Sequence, residues 1–386
     1  MDDLGTTPQI SQFQVPSGFI DLGLGDPQFS LLPLDMISQA AFERLNQNDS
    51  VFLQYGANQG DGVFRQALAE FLSRAYGFST ASESLFITSG ASMGLHLICT
   101  FFTHPGDTIF VEEPSYFYAL RIFADHQLRM IPISTDENGL VIESLEEKLV
   151  GSRPKFLYII PTYQNPTGRT LSPERRQRLE SLSRKYGFLL VADEVYHFLR
   201  YSGLPSVSFA AGAEAGNIIS LGSFSKILAP GLRLGWIQAN SSIIHRFVDS
   251  GLIDSGGGMN PFTSAIVCRV LESGGLDKNI AKLVAVFRNR VAVMDAALRQ
   301  YLPDVEYTPP MGGYFFWIKL PGKLNATEFE QRAKLFHVGF RPGELFSCQG
   351  GFQDYLRLSY VFYESDELEQ GVLRLKKCLE KMVEKI

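Results

Sequence analysis

From about residue 60 the chain alternates amphipathic stretches with short, continuous apolar runs. DGVFRQALAEFLSRAYGF (61–78) sets its apolar residues at helical spacing and predicts an amphipathic helix. LFIT (85–88) predicts a strand and SGASMGLHLICTFF (89–102) the helix after it. TIFVEE (108–113) predicts a second strand, followed by the helix SYFYALRIFADH (115–126), and KFLYII (155–160) a third strand. Ser172-Pro173-Glu174 carries the N-cap and first-turn chemistry of a helix that runs to Tyr186 and stops at Gly187. FLLVA (188–192) and NIISLG (217–222) supply strands four and five. Short apolar strands separated by helices predict a mostly parallel sheet covered by helices on both faces, an α/β architecture.

The pattern changes after residue 275. DKNIAKLVAVFRNRVAVMDAALRQYL (277–302) is long and helical and predicts an exit from the large unit. GGYFFWIKL (312–320) and YLRLSYVFY (355–363) read as strands of a smaller α+β unit that ends in the helix ELEQGVLRLKKCLEKMVEK (367–385). The first forty or so residues contain no complete βα unit and are expected to pack with that smaller unit. The expected division is therefore a large domain over 45–275 and a small one built from 1–44 and 276–386. GLIDSGGGMNPF (251–262), with three successive glycines, is expected to be a mobile loop near the functional site.

Composition narrows the function classes. Hydrophobic residues make up 45% and charged residues 20% of the 386, an ordinary globular balance. A net charge of −6 argues against a nucleic-acid surface. No apolar run approaches a membrane span, and the acidic, polar MDDLGTTPQISQF lacks the plan of a signal peptide. Cys99, Cys268, Cys348 and Cys378 are scattered, which reads as reduced thiols in a cytoplasmic protein. The six histidines show no metal-ligand spacing, and His197 is taken as structural.

The chemistry gathers just after the predicted strands, where parallel sheets bind ligands. Ser89-Gly90-Ala91-Ser92 follows the first strand at a helix N-terminus, where free amides favour a phosphate. Tyr116 follows the second strand, Asn165 of PTYQNPTG the third, and Asp193-Glu194-Val195-Tyr196 the fourth. After the fifth comes SFSKILAPGLRLGW (223–236), which holds Lys226 on a short segment that Pro230 and Gly231 interrupt. Ser223 and Ser225 offer hydroxyls there, and Arg233 a planar fork suited to phosphate. A lysine beside a phosphate cradle points to a Schiff base with pyridoxal 5′-phosphate (PLP). In that reading Asp193 keeps the pyridine nitrogen protonated, Asn165 and Tyr196 hold the phenolate oxygen, and Tyr116 stacks on the ring. Taken singly, each residue has a plainer explanation: a helix start, a turn former, a cap, a core ring. Their succession along one sheet edge carries the argument.

The lysine segment closely resembles that of the class I/II aminotransferases, the fold-type I PLP enzymes, and the resemblance runs from about Gly23 to the C-terminus. LQYG, TSGAS, PTYQNPTG, SFSKILAPGLRLGW and RPGELF most resemble the 2-aminoadipate/kynurenine aminotransferase-like branch. The resemblance implies that Tyr55 reaches the phosphate of a neighbouring subunit in a homodimer, that Arg357 of LRLSY clamps the substrate α-carboxylate, and that Gly25 faces that carboxylate. It implies transfer of an amino group from an L-amino acid to a 2-oxo acid such as 2-oxoglutarate, with Lys226 as the base that moves the proton. LGDPQFSLLPLDM follows the branch's glycine-rich loop only loosely, which leaves the donor open. A C–S lyase or cyclising enzyme on the same scaffold is the first alternative. A PLP-sensing regulatory module is the second, disfavoured by the acidic charge and the roughly twenty residues preceding the aligned region.

Overall fold

The computed structural model describes residues 12, 14–214, 216–322 and 324–383. The expectations for the rest of MDDLGTTPQISQF and for the last two residues of the C-terminal helix fall outside them. Strand β1 (Ile20–Asp21) lies near the N-terminus. Then come β2 (Leu85–Thr88), β3 (Thr108–Glu113), β4 (Arg129–Asp136), β5 (Gly139–Leu140) and β6 (Phe156–Ile159). They are followed by β7 (Leu189–Asp193), β8 (Ile218–Ser223) and β9 (Gly235–Gln238). The C-terminal part adds β10 (Glu306–Tyr307), β11 (Phe315–Lys319), β12 (Val338–Gly339), β13 (Arg341–Pro342) and β14 (Tyr355–Ser359).

Strands β2 to β9 form one sheet in the order β2-β9-β8-β7-β6-β3-β4-β5. The run β8-β7-β6-β3-β4 is parallel, while β9 is antiparallel to both β8 and β2. Two reversals leave β2 pointing the same way as β8, so the five predicted strands all end on one edge. The predicted helices between them form as well, including Pro173–Tyr186, capped by Ser172 and closed by Gly187 in the left-handed conformation. Strands β4 and β9 were not anticipated. β4 (RMIPISTD) is only partly buried and carries Pro132, and β9 begins within the last two residues of the lysine segment, Gly235 and Trp236. β9 fits because Gly222, paired with Trp236, has no Cβ, which would fall 2.0 Å from the buried indole.

The smaller sheet is antiparallel, in the order β10-β11-β14-β13. Helix Gly275–Tyr301 runs between the two parts and packs on the C-terminal helix Ser365–Val383. The N-terminal strip divides. β1 pairs in parallel with β12, whereas helix Leu34–Leu45 packs on Pro261–Glu272, inside the stretch the sequence assigned to the larger unit. The 251–262 segment is also not an open loop. Gly251–Gly256 is helical, and Gly257 and Gly258 bridge to Gly56. Cβ atoms there would fall 2.3 Å from Gly56 O and 1.9 Å from Ala57 O, so the glycines serve close approach of two backbones, with no need of mobility.

Two buried carboxylates organise the functional edge. Glu194 accepts hydrogen bonds from the Ser208 and Ser220 hydroxyls at 2.7 Å and from the Phe209 amide at 3.1 Å, which makes it a structural anchor. Glu112 accepts from the Ile160 amide at 2.9 Å and is approached by Gln164, whose amide also donates to Pro114 O at 2.7 Å. Glu112 thereby ties the turn after β3 to the turn after β6. Burial pushes its carboxyl up to about 8, against the pull of Ile160 and Gln164. The folded protein then holds a proton that the unfolded chain, titrating near 4.5, gives up. Stability contributed by this group is present below that lower value and is lost as pH rises through 8. Glu112→Gln should therefore gain stability relative to the parent as pH rises from 5 to 8. A difference between the two denaturation midpoints that stays flat over that range would show that Glu112 is ionised in the fold.

Candidate active site

The five strand ends bring their residues to one edge of the large sheet. Asp193, the last residue of β7, is 4% exposed. The Tyr158 hydroxyl donates to its Oδ2 at 2.8 Å, and its Oδ1 is buried with no hydrogen-bond partner among the described residues. Burial pushes the Asp193 carboxyl up to about 6, while the Tyr158 hydroxyl and the nearby Val195 amide hold it down. At neutral pH it is a buried carboxylate with one free oxygen. Such a group is costly without a donor, and a protonated ring nitrogen is a donor of the right charge.

Lys226 follows β8 on the turn Ser223–Ser225, where the Ser225 amide donates to Ser223 Oγ at 3.1 Å. Its Nζ donates to Gly25 O at 2.8 Å and lies 5.2 Å from the centre of the Tyr314 ring. Burial lowers the lysine's pKa; Asp26 opposes this, and the Arg357 charge adds to the lowering. Burial and like charge both favour the neutral amine that a nucleophile or base requires.

On the other side of the lysine loop, Arg233 adopts the left-handed conformation (φ 47°) and its Nη2 donates to Ser89 O at 3.0 Å. Gly90 opens helix Ala91–Phe102 with no side-chain cap, leaving its first amides available; Ser92 lies in the first turn. Gly90 is required, since a Cβ would lie 2.8 Å from Arg233 Nη2. The Asn260 amide donates to Ser89 Oγ at 3.2 Å and to the Arg233 carbonyl. An exposed guanidinium, uncapped helix amides and hydroxyls make a cradle of donors of the kind that can hold an anion.

The surroundings of Arg357 are equally compact. Arg357, on β14, is 3% exposed and donates to Asn165 Oδ1 at 2.9 Å and to Gly23 O at 2.8 Å. Its Nε is buried without a partner among the described residues, and its guanidinium lies 3.9 Å from the Phe315 ring centre and 5.0 Å from that of Phe346. Burial pulls it down to about 10, so it is still charged at neutral pH. A Cβ on Gly25 would lie 3.2 Å from Phe315 and 3.9 Å from Arg357 Nη2. Tyr196 is buried, its ring 5.4 Å from that of Tyr314. Tyr116 stands at the N-cap position of helix Phe117–Asp125 without a side-chain capping bond, and burial together with the Asp193 charge raises its phenol. Tyr55 stands apart, 81% exposed. Sequence reasoning missed Tyr158, Asn260 and Tyr314. Tyr158 sits inside an apolar strand run, where alternation of faces was the one available signal. Asn260 and Tyr314 come from distant segments that carry none.

Residues 17–375 match the sequence profile "Aminotransferase class I and II". An aromatic-amino-acid aminotransferase 1 of Thermococcus litoralis is 35% identical, over 96% of this chain and 90% of its own. The Pyrococcus horikoshii kynurenine aminotransferase, solved with PMP, is 33% identical with a TM-score of 0.89, covering 95% of this chain and 92% of its own. LysN, the α-aminoadipate aminotransferase of Thermus thermophilus, solved with N-(5′-phosphopyridoxyl)-L-leucine, is 31% identical with a TM-score of 0.87, covering 96% of this chain and 94% of its own. Together with the free Asp193 oxygen and the cradle at Ser89 and Arg233, these likenesses place the chain among the class I and II aminotransferases, as a PLP-dependent, fold-type I enzyme that transfers amino groups.

Proposed function

We propose that this enzyme moves the amino group of an aromatic L-amino acid to 2-oxoglutarate, with Lys226 as the residue that attaches the cofactor and moves the proton at the substrate Cα. The observation that carries the reading of roles is Lys226 Nζ, amine-favouring and held at 2.8 Å on Gly25 O, within reach of the charges of Asp193 and Arg357. The bound cofactor supplies a carbonyl to take up the amino group and a protonated pyridine that draws electrons from Cα. Asp193 holds the pyridine proton through its free Oδ1. Asn165 and Tyr196 orient the ring oxygen, and Tyr116 covers the ring face. Ser89, Gly90, Ala91, Ser92, Ser223, Ser225 and Arg233 grip the phosphate. Arg357 takes the substrate α-carboxylate beside Asn165 and Gly25. Its aromatic surroundings, with Phe117, Phe315 and Phe346, exclude water there, and relatives named for aromatic amino acids and kynurenine support an aromatic donor.

The working unit in this reading is a homodimer. Phe42, Leu45, Val51, Leu53, Tyr55 and Phe262 are large, exposed and carried by neighbouring elements: Leu34–Leu45 and Val51–Leu53 both pack on Pro261–Glu272. A monomer rarely leaves such a surface to water. A second copy covers it, and Tyr55 then reaches the partner's phosphate cradle. Four free thiols support a cytoplasmic setting. In this reading the unit that carries Arg357 closes over the bound substrate.

Lys226→Ala should lose at least about a thousandfold in turnover while still retaining PLP noncovalently. In the parent enzyme the visible cofactor band should bleach with phenylalanine or tyrosine and return with 2-oxoglutarate. Continuous pyruvate release without an acceptor would place the enzyme among the lyases instead. Arg357→Lys should raise KM for the amino donor by roughly 10- to 100-fold, because an ammonium cannot replace the two-point fork; an unchanged KM would remove Arg357 from the clamp. Leu53→Glu should shift the sedimentation equilibrium towards monomer and weaken PLP retention together. A monomeric parent at micromolar concentration would refute the shared site.

A further inference from the structure

Tyr158 lies on β6, the strand beside β7, in register with Val191. Its ring is fully buried and packs edge-on to Phe123 at 5.3 Å. The hydroxyl meets one carboxylate oxygen of Asp193 and leaves the other unpartnered. We propose that Tyr158 is a positioning residue for amino transfer, which pins Asp193 Oδ2 and so fixes the free Oδ1 as a charged acceptor for the cofactor's ring nitrogen.

Three features support this. First, the donor's direction is settled. Burial and the Asp193 charge push the Tyr158 phenol well above its ordinary value, so it is always the proton donor. Second, the carboxylate needs help to stay charged. Burial and Glu194 both favour its neutral form, and the Tyr158 bond is the largest influence favouring the ionised one, with Val195 N–H and Lys226 adding to it. The other titratable groups near the pair, Tyr116 and Glu112 facing Tyr158 and Tyr196 facing Asp193, are neutral at pH 7 or raised to about 8 by burial. Third, the phenol is held more firmly than a water would be, because its ring is part of the core between β3 and β7. A ligand's ligand of this kind fixes the orientation of the group that touches the cofactor, as outer partners do around metal sites.

The inference rests on Asp193 facing the pyridine nitrogen, and the test separates the two. Tyr158→Phe, Asp193→Asn and the double variant are compared with the parent as PLP-loaded enzymes, by absorbance titration with PLP and by kcat and KM across pH 5.5–9. Tyr158→Phe should weaken PLP binding about tenfold and lower kcat at pH 7 about tenfold, the worth of one charge-assisted hydrogen bond. KM for the donor should stay within twofold, and the acid limb of the kcat profile should move up by about one pH unit. In the Asp193→Asn background the same substitution should have little further effect. Equal losses in both backgrounds, or an unmoved acid limb, would reduce Tyr158 to a packing residue and overturn the inference. An unimpaired Asp193→Asn enzyme would instead remove Asp193 from the cofactor. If Tyr158→Phe fails to fold, the parent decides alone: its PLP affinity should hold at pH 7 and fall below about 6, and an affinity flat to pH 5 would count against a charge held by Tyr158.

Discussion

A negative charge kept where water is excluded is the constraint on which this site depends. Asp193 ends a strand buried on both faces, and desolvation there works against the form the chemistry needs. The fold answers with fixed dipoles in place of solvent. A phenol on the adjacent strand takes one oxygen, and Glu194, the next acid along, is turned away and satisfied by Ser208, Phe209 and Ser220. Two consecutive carboxylates thus serve opposite purposes, because successive residues at a strand end face opposite sides.

The same logic governs the positive groups. Arg233 and Arg357 both lie near Lys226, and each lowers the lysine's affinity for a proton. The two arginines are assigned to different anions, one on the exposed phosphate side and one in the buried aromatic clamp. Asn165 links the clamp to the large sheet through its bond to Arg357, and Glu112 with Gln164 holds the turn on which Asn165 sits. The guanidinium on the smaller sheet thus meets an acceptor whose own turn is already held in place.

Much of this was legible in the sequence, for identifiable reasons. Apolar strands bounded by turns made β2, β3, β6, β7 and β8 visible, and with them Lys226, Asp193, Asn165 and Ser89 at their ends. β4 and β9 escaped, β9 because its first two residues, Gly235 and Trp236, were already claimed by the lysine motif. Tyr158 escaped because a tyrosine in an apolar run reads as bulk, and its hydroxyl has meaning only once β6 lies beside β7. The glycines at 256–258 misled, since sequence does not distinguish a glycine that moves from one that lets two backbones touch.

That contact has a mechanical consequence. Gly56 is pinned to Gly257 and Gly258, with Tyr55 immediately before it and Met259 and Asn260 immediately after them. Asn260 in turn holds Ser89 and the Arg233 carbonyl. The exposed surface around Tyr55 and the segment that holds Ser89 and Arg233 are thus joined through one backbone contact. A side chain at Gly257 or Gly258 would strike that contact and so disturb both ends of the link at once.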